Sequence, residues 1–248
     1  MHEAAYAALG LEGWHYQRLP VPPELFAETV RALGAAGFVG ANVTIPHKEA
    51  ALAVADEAGD EAAAIGAANT LTFADGAIRA DNTDAPGLLA AIGEPVADKT
   101  ALVLGAGGSA RAAVWALLGA GARDVMVWNR TPERAAALTA ELGGRHVTEP
   151  EPADLLVNCT PVGLDGSEAP FKELPLGADG LASYCALVDL VYREGETALI
   201  RAARAHGLTT IDGLEVLVRQ GALSLERWTG NPAPIEAMRD AVRRPSPR

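Results

Sequence analysis

Two short segments carry residues suited to proton transfer. Asn42-Val43-Thr44-Ile45-Pro46-His47-Lys48 ends in an ammonium group, Asp81-Asn82-Thr83-Asp84 ends in a carboxylate, and each follows an apolar run of strand character. Of the 20 basic side chains, only Lys48, Lys99 and Lys172 are lysines. Arginine keeps its proton in a protein, whereas a lysine in a dry site can release one and serve as a base. Lys48 is expected in the first turn of a helix, where the macrodipole disfavours a cation. Asp84 is expected to begin another helix, and an ordinary N-cap would explain it equally well.

A third segment, Gly105-Ala106-Gly107-Gly108-Ser109-Ala110, follows a buried strand and opens a helix. In that context a glycine turn lets a pyrophosphate approach backbone N–H groups at a helix N-terminus. The spacing is GxGGxA, with Ala110 as the small last residue. A tight turn needing positive φ is the structural alternative. At the end of the next strand stand Asn129-Arg130-Thr131, with Arg134 one turn on. An acidic residue there would bind a ribose hydroxyl, but a basic and hydroxylic set suits a 2′-phosphate, so NADP is inferred and not NAD. Thr131 could also cap the helix that Pro132 starts. Thr160-Pro161-Val162-Gly163 and Val191-Tyr192 end later strands on the side where open α/β sheets bind ligands.

These segments need elements to position them. The pattern predicts a helix over 3–9, a strand over 14–21, a helix over 24–36 opened by Pro22-Pro23, and a strand over 38–44. A helix from Pro46 through Ala55, a hairpin of 67–73 and 77–80, and a helix over 84–92 follow. From Thr100 the texture changes to short apolar strands alternating with helices. Strands are expected at 100–104, 124–128, 153–158, 187–191 and 209–211, helices at 109–118, 132–142, 214–228 and 234–243, and a frayed tail at 244–248. Alternation of this kind means a doubly wound parallel sheet of Rossmann type. The class is α/β with two domains: residues 1–95, completed by 213–248, bind substrate, and 96–212 bind the dinucleotide.

The 248 residues suffice for two modest cores, and 49% hydrophobic with 21% charged residues reads as a globular chain. No apolar run reaches membrane length, and the start lacks the features of a secretory signal, so a cytoplasmic protein is expected. A net charge of −12 opposes nucleic-acid and membrane partners. Cys159 and Cys185 lie in apolar runs without CxxC or clustered histidine, so buried reduced thiols are expected and no metal. No YxxxK, GxSxG or HExxH motif offers rival chemistry.

Taken together, the chain resembles the shikimate dehydrogenase family from Met1 to about Gly230. The segments that carry the resemblance are NVTIPHKEAA at 42–51, IGAANTL at 65–71, DNTDAPG at 81–87, GAGGSARA at 105–112, NRTPER at 129–134, NCTPVG at 158–163, DLVY at 189–192, and Gln220-Gly221-Ala222 through Trp228-Thr229-Gly230. The resemblance implies a shikimate-binding domain, an NADP-binding Rossmann domain, and terminal helices that return to the first. It implies that Lys48 exchanges the proton of the C3 hydroxyl with Asp84 as its partner, and that Thr44, Asn69, Tyr192 and Gln220 orient the substrate. Gly105, Ala106, Gly107, Gly108, Ser109, Asn129, Arg130, Thr131, Arg134 and Thr160 would hold NADP, with Asp60, Leu190 and Gly213 as lesser contacts. A monomer or homodimer acting on shikimate and 3-dehydroshikimate is expected.

Members of the family begin with a strand and a loop ending in Ser-x-Ser-Pro and a histidine, and this sequence starts at what looks like that histidine, His2. The expectation is an open slot in the first sheet, weakened shikimate binding, and a start codon upstream of Met1. A quinate or aminated-shikimate dehydrogenase, or a weakened NADP-binding remnant, are the alternatives.

Overall fold

The computed structural model describes residues 1–166, 169–193 and 195–244. The expected tail lies outside the described residues from 245 onward. The chain divides into two compact units, Met1–Gly87 with Val218–Arg248, and Leu88–Leu217.

The first unit opens with α1 (His2–Leu9), which Gly10 ends in the left-handed conformation, φ 65°. Residues 14–21 form no strand, against expectation. The backbone N–H of Tyr16 goes to the Glu3 carboxylate at 2.5 Å and not to a neighbouring strand. Pro20 and Pro22 remove two further donors. After a 3₁₀ turn come α2 (Phe26–Ala35), β1 (Gly40–Asn42), α3 (Lys48–Val54), β2 (Glu57–Ala58), α4 (Asp60–Ile65), β3 (Thr70–Ala74) and β4 (Ala77–Asp81). The sheet order is β1-β3-β4-β2. β1 and β4 both run antiparallel to β3, and β2 is parallel to β4. The β3–β4 hairpin turns at Asp75 and Gly76, both with positive φ (52° and 77°), the geometry of a tight two-residue loop. Phe26, Val30, Val54, Leu71 and Ile78 pack one core of this unit. A groove of about 570 Å³ runs beside β1, walled by Trp14, Tyr16, Leu19 and Val39, so the sheet is open on that side.

Both breaks between the units fall inside helices. α5 (Asp84–Ile92) leads into β5 (Thr100–Leu104), α6 (Gly108–Gly119), β6 (Asp124–Trp128), α7 (Pro132–Leu142), β7 (Arg145–His146), β8 (Ala153–Asn158), β9 (Tyr184–Asp189), α8 (Ala198–Ala205) and β10 (Thr209–Ile211). The second unit's sheet has the order β10-β9-β8-β5-β6-β7, and all its pairs are parallel. Alternate residues of β5 serve opposite faces, as the two-residue period of a strand requires. Ala101 and Val103 join the core with Ala113, Leu117 and Leu138, while Leu102 and Leu104 join Leu181, Leu199 and Ile200. Burial on both faces explains why the strands read as continuous apolar runs.

β9 ends at Asp189, two residues before the expected limit, and α8 was not expected. Cys185 is exposed and Cys159 half-buried, so the expectation of two buried thiols fails. α9 (Gly213–Thr229) returns the chain to the first unit, and α10 (Ile235–Arg243) closes it. There Val218, Ala222, Leu225 and Met238 pack against Ala5 and Tyr6.

Candidate active site

Within the first unit the structure brings Lys48, Asp84, Asn69 and Gln220 into one hydrogen-bonded group. Lys48 is the first residue of α3 and only 9% exposed. Its Nζ donates to Asp84 Oδ2 at 2.7 Å. Asp84 is the first residue of α5, but it does not cap that helix. Asn82 does: its Oδ1 accepts from the backbone N–H groups of Asp84 and Ala85 at 3.0 and 3.3 Å. The amide of Asn82 is itself pinned to the Ala67 carbonyl at 2.8 Å. The N-cap explanation therefore belongs to Asn82, and the Asp84 carboxylate turns to Lys48.

The other carboxylate oxygen, Oδ1, accepts from Asn69 Nδ2 at 2.9 Å. Asn69 Nδ2 also faces Gln220 Oε1 at 3.0 Å. Gln220 can come this close because Gly87 has no side chain: a Cβ there would stand 2.8 Å from the backbone N of Gln220. Sequence reasoning missed Asn82, Thr83, Gly87 and Ser224 as parts of this assembly. The AsnThrAsp run was a signal for the first two, while Ser224, one helical turn past Gln220, had none. Asn42 was also missed as an individual residue; its Nδ2 donates to Ser224 Oγ at 2.8 Å and its Oδ1 accepts from Tyr16 at 3.0 Å.

Thr44 is exposed in the turn before α3. Tyr192 belongs to the second unit, 41% exposed beyond β9, and Asp60 is exposed at the start of α4 in the first unit.

In the second unit Gly105 and Gly107 need glycine for different reasons. Gly105 has φ 111°, and a Cβ there would lie 3.3 Å from the Cys159 carbonyl, so the fold itself requires glycine. Gly107, the N-cap of α6, has an ordinary φ of −94°, and a Cβ there would meet nothing within 4 Å. The protein leaves open space over a helix N-terminus, which is where a phosphate group would need it. Ala106, Gly108 and Ser109 complete the turn. Thr131 occupies the N-cap position of α7 without a side-chain capping bond, and Asn129 Nδ2 donates to its carbonyl at 2.9 Å. Arg130 and Arg134 are exposed.

Thr160 donates to Asn158 Oδ1 at 2.7 Å, and Asn158 Nδ2 donates to Asp189 Oδ1 at 2.9 Å. Asp189 also accepts from Thr197 Oγ1 at 2.6 Å. Burial pushes the Asp189 carboxyl above its ordinary value, against the downward pull of these hydrogen bonds. Gly213 has a packing reason of its own, since a Cβ would stand 2.4 Å from the Val191 carbonyl oxygen.

A doubly wound parallel sheet with a glycine turn, in a chain that also holds a part-buried lysine–aspartate pair, defines a dinucleotide-dependent oxidoreductase. Three sequence profiles match in order. One described as the shikimate dehydrogenase substrate binding domain covers residues 1–71, one for shikimate / quinate 5-dehydrogenase covers 88–158, and one for the shikimate 5'-dehydrogenase C-terminal domain covers 213–243. The chain belongs to the shikimate dehydrogenase family. It is 45% identical over 249 residues to the shikimate dehydrogenase (NADP(+)) of Thermus thermophilus, an alignment covering 98% of this chain and 92% of that protein. To the enzyme of the same name from Methanopyrus kandleri it is 42% identical over 262 residues, covering 98% and 89%. A crystal structure of a Thermus thermophilus shikimate 5-dehydrogenase in complex with NADP(H) and shikimate matches with a TM-score of 0.86 at 44% identity, covering 98% of this chain and 92% of that one. The ligand-free form of a Gluconobacter 5-ketofructose reductase matches with a TM-score of 0.82 at 30% identity, covering 97% and 90%.

Proposed function

We propose that this chain interconverts shikimate and 3-dehydroshikimate with NADP, as a cytoplasmic monomer or homodimer. The observation that carries the chemistry is the part-buried Lys48–Asp84 contact of 2.7 Å, freed from helix capping by Asn82. Oxidising a secondary alcohol requires that its hydroxyl proton go to a positioned base while hydride leaves the carbon, and such a base contributes a factor of about 10²–10⁴. Lys48 is that group, taking the proton in oxidation and returning it in reduction. Asp84 holds the lysine head in place, and Asn69 holds Asp84. Thr44, Asn69, Gln220 and Tyr192 orient the ring hydroxyls and carboxylate.

NADP, when bound, accepts the hydride in one direction and supplies it in the other. Gly105 to Ser109 would take its pyrophosphate at the N-terminus of α6, where the space over Gly107 fits close approach. Asn129, Arg130, Thr131 and Arg134 would take the 2′-phosphate, and Thr160 and Leu190 would flank the ring end. Gly213 and Asp60 would add lesser contacts, and at Gly213 packing by itself already demands glycine.

The test is spectrophotometric. The purified chain is mixed with NADP and, separately, shikimate, quinate and an aminated shikimate. Formation of NADPH that depends on shikimate and exceeds that with quinate is expected. Reduction with quinate alone would move the assignment to the sister activity, and no reduction with any of them would overturn it.

A further inference from the structure

Thr70, Thr83 and Ser224 are each 0% exposed, and their hydroxyls form a closed triangle. The Thr70–Ser224, Thr70–Thr83 and Thr83–Ser224 oxygens are 2.8, 3.1 and 3.2 Å apart. The proposed chemistry assigns none of these groups a contact with substrate. Each nevertheless adjoins a residue of the proton-transfer or substrate-orienting set: Thr70 follows Asn69, Thr83 precedes Asp84, and Ser224 Oγ lies 3.1 Å from the Gln220 carbonyl oxygen. Asn42 Nδ2 reaches the same serine oxygen at 2.8 Å. Segments far apart in sequence thus meet at one hydroxyl.

We propose that this triangle is the positioning element of the proton-transfer pair, acting through Asn69 on Asp84; the proposal rests on the dehydrogenase function above. The orientation of the Asn69 amide is the link. A backbone N–H can only donate, so the Asn69 atom 2.7 Å from the Thr83 nitrogen must be the carbonyl oxygen. The Thr83 and Thr70 hydroxyl oxygens lie 3.1 and 3.2 Å from that same Oδ1, so each can direct its single proton there or within the triangle, and Thr83 Oγ1 also accepts from Asn69 Nδ2 at 3.0 Å. With the oxygen held on that side, Nδ2 is aimed at Asp84 Oδ1 at 2.9 Å, and Oδ2 is left to Lys48. Buried hydroxyls that merely satisfied one another would close their hydrogen bonds without converging on an amide that carries a catalytic carboxylate.

Thr70→Val keeps the side-chain shape and removes only the hydroxyl, while Thr70→Ser keeps the hydroxyl. Thr70→Val is expected to lower kcat about tenfold, the loss of one hydrogen bond's worth of orientation, with the KM for NADP unchanged. Thr70→Ser restores most of the rate. On an Asn69→Ala background, Thr70→Val costs nothing further, because its route to Asp84 is already gone. Losses that multiply, or a folded Thr70→Val enzyme with full turnover, overturn the proposal. If Thr70→Val does not fold, Ser224→Ala carries the same cycle.

Should the unaltered chain form no NADPH with any substrate, the functional assignment fails by itself. The positioning claim is then judged on the ligand-free protein by NMR. Exchange of the Asn69 side-chain amide hydrogens about tenfold faster in Thr70→Val supports it, and unchanged exchange overturns it.

Discussion

The two units build their candidate sites from opposite materials. In the first, buried side chains carry the geometry: Lys48, Asn69, Thr70, Thr83, Gln220 and Ser224 are all dry and hydrogen-bonded to one another or to Asp84. In the second, backbone carries it. Gly105 and Gly107 supply a turn and an open helix end, and the cations proposed for the same ligand, Arg130 and Arg134, remain in water. A hydride carrier is held by features common to its class, whereas the proton must be met at one atom. Exposed side chains lose rotamer freedom when they engage a ligand, and a dry network has already lost it on folding.

This contrast can be broken by substitution, beginning where the effect is greatest. Lys48→Ala should lower kcat by about 10²–10⁴ while NADP binding, measured by fluorescence titration, stays unchanged. Retained turnover would remove Lys48 from the proton step. Gly107→Val should weaken NADP binding by about 10–100-fold with little change in Tm, since the fold leaves that volume empty. Gly105→Ala should instead lower Tm, because an alanine at φ 111° is strained by about 1–3 kcal/mol. If both glycines behaved alike, the division between a fold glycine and a ligand glycine would collapse. Arg130→Ala should raise the KM for NADP about tenfold and leave the KM for NAD unaltered, the signature of one charge-assisted phosphate contact.

The smallest effect is thermodynamic. A buried acid whose folded value is raised binds its proton more tightly folded than unfolded, so it lowers stability as pH rises through that value. Asp189→Asn removes this cost and keeps an oxygen for Asn158 and an amide for the Thr197 hydroxyl. Tm should rise at pH 7, and the gain should vanish in acid below the ordinary carboxylate range. A gain independent of pH would point to packing instead.

Much of the second unit was legible because its strands are buried on both faces, so composition alone marks β5, β6 and β8 to the residue. The first unit was less so. Residues 14–21 have strand-like composition, but a strand needs a partner, and the groove beside β1 separates them from one. Two-residue β2 and β7 are too short to show a period. α8 hid among alanines and arginines, although Thr197 caps it by accepting from the Ile200 N–H at 3.2 Å. At the site, Lys48 was visible as a cation where a helix disfavours one, and Asp84 as the carboxylate that closes the AspAsnThrAsp run. Ser224 was not, because what distinguishes it is a contact made across the fold, and a single polar residue in a helix carries no mark of its future partners.

In each contact of the Thr70–Thr83–Ser224 triangle, either oxygen can be the donor. Hydroxyl hydrogens rotate freely enough to suit their surroundings. A place shut off from water therefore keeps a small dielectric response of its own. When charge shifts at Lys48 and Asp84, light O–H dipoles can re-aim while every heavy atom stays put, a local substitute for the solvent that the fold has excluded.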